Sequence, residues 1–223
     1  MISISNATLF SNTAATGGAA QGVFITATNA SFTANRATNG GAISATNSLI
    51  ASSGFTSNVA LFQGGGLFGT SNAIIQDSRF FSNTAIVCCN GEGGGAWLNN
   101  GRIERSYFEN NQADSEGAAV YISNTATVSQ SQFIRNTDGI FYDRASALRL
   151  GKTSLVVNSV FDGNRDNDTS EGGGAIDSAF NSTSLRIYDS SFSNNTGEDG
   201  GAVRSLGSNA VISNATFYNN VSR

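Results

Sequence analysis

Histidine and proline are absent from the 223 residues, and lysine occurs once, as Lys152. Without histidine, histidine-based catalytic triads and the usual zinc-hydrolase ligand sets are excluded. A loop-rich chain with no proline fits a structure in which nearly every backbone N–H joins a ladder. Charged residues make up 13% of the chain, about half the usual share. The net charge of −4 argues against a nucleic-acid partner. No apolar run approaches the ~20 residues of a membrane-spanning helix, so no transmembrane segment is expected. The N-terminus lacks a basic-then-apolar signal segment. Either a mature product or a segment of a longer repeat protein fits these features.

Charge is also unevenly placed. Arg36 is the only charged residue in 1–76, and the other 27 lie from Asp77 onward. A charge-poor third can pack on a partner, or Ser, Thr and Asn can solvate it; both readings stand.

What the chain has instead is one motif nine times, an apolar residue followed three positions later by asparagine. The pairs are Leu9 with Asn12, Phe32 with Asn35, Phe55 with Asn58, Phe80 with Asn83, and Phe108 with Asn111. Phe133 with Asn136, Phe161 with Asn164, Phe192 with Asn195, and Phe217 with Asn220 complete the series. The steps between copies are 23, 23, 25, 28, 25, 28, 31 and 25 residues. Such periods mark a solenoid whose coils bury their apolar sides only against one another. The repeat leaves no room for a second domain, so residues 1–223 form one unit.

Aligned on the Phe, further columns appear. Five residues earlier stands a branched apolar residue (Ile4, Ile50, Ile75, Ile103, Val128, Val156, Ile187, Ile212), with Ala27 the exception. Two residues earlier stands Ala or Ser, predicted to turn inward with the Phe. The odd spacing between these columns demands a bend between two short strands. The Asn is predicted at a corner, tolerating left-handed angles and bonding its counterparts along the axis. A connection of variable length follows. Then come glycine pairs such as Gly40-Gly41-Ala42, Gly65-Gly66-Leu67 and Gly94-Gly95-Ala96, with Ile43, Phe68 and Trp97 predicted to open the third strand. The expected fold is all-β, a right-handed parallel β-helix of about eight coils with three short parallel sheets. At ~4.8 Å per coil the rod is roughly 40 Å long.

The alternation of Phe-x-x-Asn with Gly-Gly-Ala-(Ile/Val/Leu), seen at Phe32 to Asn35 with Gly40 to Ile43 and at Phe192 to Asn195 with Gly200 to Val203, resembles the repeats of chlamydial polymorphic membrane proteins. The resemblance spans nearly the whole chain. It implies a surface-exposed β-helical passenger associated with adhesion, hence an extracellular or cell-surface location and a cell-surface protein or glycan as partner. The C-terminal membrane barrel of that family is not in this sequence.

Several residues depart from the repeat. Asp162, Asp166 and Asp168, with Glu171 beyond, place alternating oxygen donors in one loop, the pattern that suits Ca2+. The plainer reading is a solvated charged edge, which Asp143-Arg144 and Glu198-Asp199 would extend. No cofactor other than this candidate Ca2+ is expected. A polysaccharide lyase or hydrolase using these carboxylates is the enzymatic alternative. Cys88-Cys89, in the insertion 84–92, are adjacent and pair with each other only under strain, which leaves an intermolecular link, a soft-metal contact or simple packing. Trp97 is read as a packing residue. Seven Asn-x-Ser/Thr sequons occur, no more than composition predicts. A self-assembling filament joining copies through the coil ends is the structural alternative.

Overall fold

The computed structural model describes residues 1–86, 91–139, 146–167, 171–178, 182–207 and 209–223. It is a parallel β-solenoid of stacked coils in which every strand pairing is parallel. One coil shows the plan. Ala96–Glu104 crosses a bent sheet, Tyr107–Glu109 the Phe-bearing sheet, and Gln112–Ala113 a third short sheet.

The Phe column forms the axis of the core. Phe32, Phe55, Phe80, Phe108, Phe133, Phe161 and Phe192 are all fully buried. Adjacent rings lie 4.5–5.2 Å apart and nearly parallel, the distance that ~4.8 Å strand spacing imposes on an in-register column. Each buried ring contributes about 1.5–3 kcal/mol. Beside them the branched column runs in register from Ile4 through Ala27, Ile50, Ile75, Ile103, Val128, Val156 and Ile187 to Ile212.

The asparagines form a second column. In each coil from Asn12 to Asn195, the side-chain Nδ2 donates to Oδ1 of the next coil's asparagine at 2.9–3.1 Å. That Oδ1 also accepts the preceding asparagine's backbone N–H, as between Asn58 N and Asn83 Oδ1 at 3.0 Å. The second Nδ2 proton goes to a Phe carbonyl, as from Asn83 to Phe55 O at 2.9 Å. Both donors and both acceptor sites of an interior amide are thereby used.

The strained corners lie elsewhere than the sequence reading put them. The residue before the asparagine takes the left-handed conformation, with φ of +53° to +55° at Ser57, Ser82 and Ala34. The asparagines of the ladder do not. A second left-handed corner falls three residues before each Phe, at Asn29, Ser52, Asp77, Arg105 and their equivalents. This corner is the bend that the odd spacing requires.

Three parallel sheets form, but their membership differs from the expected one. The glycine-led segment and the branched segment belong to one bent sheet, and in Ile43–Ala51 they are a single strand. The third sheet uses residues after the asparagine, which the sequence reading treated as connection: Arg36–Asn39, Val59–Gln63, Thr84–Ala85, Gln112–Ala113 and Thr137–Asp138. Their variable lengths and lack of alternation hid them. The inward position of this sheet is Ala37, Ala60, Ala85 and Ala113 in turn.

Glycine sets the entry to the bent sheet. Gly40 has φ +63°, and a Cβ there would lie 2.1 Å from Ile43 O. At Gly41 a Cβ would lie 2.0 Å from Gly65 O of the neighbouring coil. In the triplets Gly64-Gly65-Gly66 and Gly93-Gly94-Gly95 it is the first glycine that takes positive φ. Leu67 therefore pairs with Ile43, and Ala96 with Leu67, on the core side. The expected opening residues, Phe68 and Trp97, are one position off and face outward.

A further ladder escaped the sequence reading. Ser53, Ser78, Ser106, Ser131, Ser159 and Ser190 each accept the N–H of the equivalent residue one coil earlier through Oγ. Each also donates to the carbonyl two residues before it, as from Ser106 to Glu104 O at 2.7 Å. The available signal was a run of six serines replaced by alanine only toward the ends of the series.

Candidate functional site

The members of the proposed calcium set that are described do not converge. Phe161 faces the core, so Asp162 faces out, where it accepts from Ser193 Oγ at 2.6 Å and Asn194 Nδ2 at 2.8 Å. Asp166 is 1% exposed and lies inside the wall. Asp168 lies outside the described residues, as do Cys88, Cys89, Asp143, Arg144 and Asn181. Among the described residues no three His, Cys, Asp or Glu side chains are grouped to hold a metal.

Asp166 instead has an interior neighbour that the sequence reading missed. Arg165 bridges Thr137 and Thr196, which puts Asp166 between Asp138 and Gly197. Two carboxyl groups therefore continue the alanine column inside the solenoid. Asp138 is fully buried; its Oδ2 accepts from Ser146 N at 2.8 Å, and its Oδ1 has no hydrogen-bond partner among the described residues. Burial pushes the Asp138 carboxyl well above the ordinary carboxylate range, and Asp166 and Glu116 push it the same way. The N–H groups of Ser146 and Gly139 oppose this.

On the outer side of the bent sheet, one row changes character along the axis. It runs Ser44, Phe68, Trp97, Tyr121, Arg149, Asp177, Arg204. Trp97 stacks on Tyr121 with centroids 5.8 Å apart, and Phe68 meets Trp97 at 5.0 Å with its ring tilted by 38°. The facing surfaces of Trp97 and Tyr121 are spent on each other, which makes that pair a poor platform for a flat ligand. Trp97 Nε1 donates to Glu92 Oε2 at 2.8 Å, and Gln63 Nε2 donates to the same oxygen.

The three charged members of the row form a closed network. Arg149 donates to Asp177 Oδ1 at 2.7 Å and to Glu116 Oε2 at 3.1 Å. Arg204 reaches the other Asp177 oxygen at 3.2 Å, Glu171 at 2.5 Å and Asp199 at 3.0 Å. Glu171 and Asp199 thus serve as counter-charges to a buried arginine. Burial lifts the Glu116 carboxyl above its usual range although Arg149 pulls it down. Asp177 between the two arginines, with Glu116, Glu171 and Asp199 around them, supplies the counter-charges, so the row is a structural tie.

A groove lies on the other arm of the same outer face. Thr127, Leu155 and Arg186 follow in register, with Thr125, Thr153 and Ser184 two residues before them. Val157 and Tyr188 stand two residues after. The groove has a volume of about 630 Å3, within the ~300–1,000 Å3 typical of ligand sites. A second hollow of about 290 Å3 shares Thr125 and Thr127 with it and continues past Arg102 to Ile74. Arg102 is held by Glu104, with Nε 2.7 Å from Oε1. Arg186 has no ion pair or side-chain hydrogen bond among the described residues.

Four of the seven sequon asparagines, Asn6, Asn29, Asn194 and Asn214, occupy left-handed corners. Backbone preference accounts for their recurrence.

The model for the Chlamydia polymorphic membrane protein (Chlamydia_PMP) repeat matches residues 105–123. That stretch holds Phe108, Asn111 and the glycine-poor variant Gly117-Ala118-Ala119. No curated protein and no solved structure matches the chain. The repeat match and the solenoid agree with a Pmp-type repeat β-helix. The family suggests a surface-associated β-helical protein with an outer-membrane or surface location.

Proposed function

For a β-helix of Pmp-type repeats, we propose the role of a non-catalytic surface module, a rigid passenger or stalk whose outer side chains make adhesive contacts. The observation that carries this reading is the continuity of the asparagine ladder through every coil from Asn12 to Asn220. Such a wall is held by interior amides and rings, which leaves outward positions open to vary without loss of the scaffold. The outer row that passes from Phe68 through Tyr121 to Arg204 is an instance of that freedom.

The test is attachment of beads carrying the purified chain to cultured host cells, with beads carrying a heat-unfolded sample as control. Attachment that saturates and is competed by free folded chain is the expected result. Attachment no better than the unfolded control overturns the adhesive role.

A further inference from the structure

We propose that the groove on the outer face of the bent sheet binds a linear acidic glycan, with Arg186 as its carboxylate contact. The proposal deepens the adhesive reading and rests on it.

Three properties of the groove point to this class. Its length comes first. The row from Ile74 through Arg102, Thr127 and Leu155 to Arg186 spans four strand steps, or about 19 Å, so the groove suits a chain more than a single small molecule. Its chemistry is the second. Leu155, Val157 and Tyr188 supply apolar surface for the C–H faces of sugar rings, while Thr125, Thr153 and Ser184 supply short hydroxyls along the border. Its charge is the third. Arg186 is an exposed guanidinium without a counter-charge among the described residues, on a chain of net charge −4. A fork of N–H donors matches a carboxylate in bidentate fashion. Lys152, the only lysine, is exposed and immediately precedes Thr153.

An extended peptide fits less well. Peptides that join sheets do so by backbone pairing at an open edge. The groove floor is the face of strands already paired on both sides, such as Thr153–Val157 between Thr125–Ser129 and Ser184–Tyr188. Recognition therefore falls to side chains, and these are hydroxyl, apolar and cationic.

The experiment is calorimetric titration of the whole chain with a hexamer of galacturonic acid at low salt. A neutral glucose hexamer and poly-glutamate serve as comparison ligands. The acidic hexamer is expected to bind, to weaken as salt rises, and to exceed both comparison ligands by at least ten-fold. Arg186→Gln should weaken binding at least ten-fold, Arg186→Lys should retain part of it, and Leu155→Glu should abolish it. Arg36→Gln, outside the groove, should change nothing. Neither groove side chain enters the core, so all variants should keep the wild-type melting transition, and binding by each is compared only at temperatures below it. No binding of the acidic hexamer, equal binding of poly-glutamate, or indifference to both Arg186→Gln and Leu155→Glu overturns the proposal. Cell attachment that persists in Arg186→Gln while hexamer binding is lost separates the two readings. Adhesion then survives, and the groove is not its site.

Discussion

The early and late coils share a backbone and differ in what fills it. From Ala37 to Ala113 the inward position of the third sheet is alanine; at Asp138 and Asp166 it is a carboxyl. The outer row is Phe68, Trp97 and Tyr121 in the early coils, and Arg149, Asp177 and Arg204 in the late ones. Ladder geometry is the same on both sides of this change, with Asn58 to Asn83 and Asn164 to Asn195 both at 2.9 Å. The scaffold is thus set by a few repeated positions, and the late coils add buried charge without altering them. Between pH 8 and pH 5 their stability should respond to pH more than that of the coils from Ala37 to Ala85.

The largest expected effect lies in what the two regions share. Replacing a ladder asparagine removes partners from the neighbouring amide, a Phe carbonyl and a backbone N–H at once. Asn136→Ala should cost about 4–6 kcal/mol, and Asn58→Ala the same, at ~1–3 kcal/mol per stranded buried group. Urea denaturation measures both; a large disparity between them would break the claim of a common scaffold.

Next in size is the charged row. Asp177→Ala leaves Arg149 and Arg204 buried beside each other, at an expected cost of about 3–5 kcal/mol. Trp97→Ala in the aromatic part of the row removes a half-buried ring and should cost about half as much. Equal costs by the same urea assay would contradict the division drawn here.

Asp138→Asn should stabilise the protein at pH 8 by about 1–3 kcal/mol, because a buried carboxylate oxygen without a partner among the described residues is replaced by a neutral amide. Its Oδ1 can still accept from Ser146 N. The gain should shrink as pH falls. A carboxyl whose pKa is raised on folding adds stability as pH drops from the folded value toward the unfolded ~3.9, and that stability is lost as pH rises again. Glu109 acts in the opposite sense. Burial raises its pKa, but Arg79 and Arg135 outweigh that and hold it below the usual range. Its contribution is present above the unfolded carboxylate pKa and is lost in stronger acid. Thermal melts of wild type and Asp138→Asn from pH 8 to pH 5 check the sign.

The smallest effect concerns one corner. Ala34 stands at φ +55° where one late coil has Gly163 at +63°. Ala34→Gly should raise stability by about 0.5–1 kcal/mol, as relief of left-handed strain exceeds the added freedom of the unfolded chain. A loss of stability in urea would show that Ala34 is not strained.

The extent to which this was legible in sequence follows from repetition. Phe32 to Phe217 recur often enough that one inward column was unavoidable, and the polar partner three residues on could be placed beside it. Phe68 and Trp97 were misplaced by one residue because Gly64-Gly65-Gly66 offers two ways to choose a pair, and only φ decides between them. Asp138, Asp166 and Asp177 were read as surface or not singled out, since charge in a sequence ordinarily signals solvent. The register of neighbouring coils puts Asp138 and Asp166 inside, and Asp177 is buried on the outer row between Arg149 and Arg204. The groove around Arg186 combines residues from three coils, none unusual alone.

Hydrogen exchange of backbone amides at pH 8 and pH 5, corrected for intrinsic rates, tests the central contrast most directly. The predicted result is increased protection at pH 5 around Asp138, Gly139 and Ser146, with unchanged protection around Ala37, Ala60 and Ala85. Uniform change along the rod, or reduced protection at Asp138 in mild acid, would contradict it.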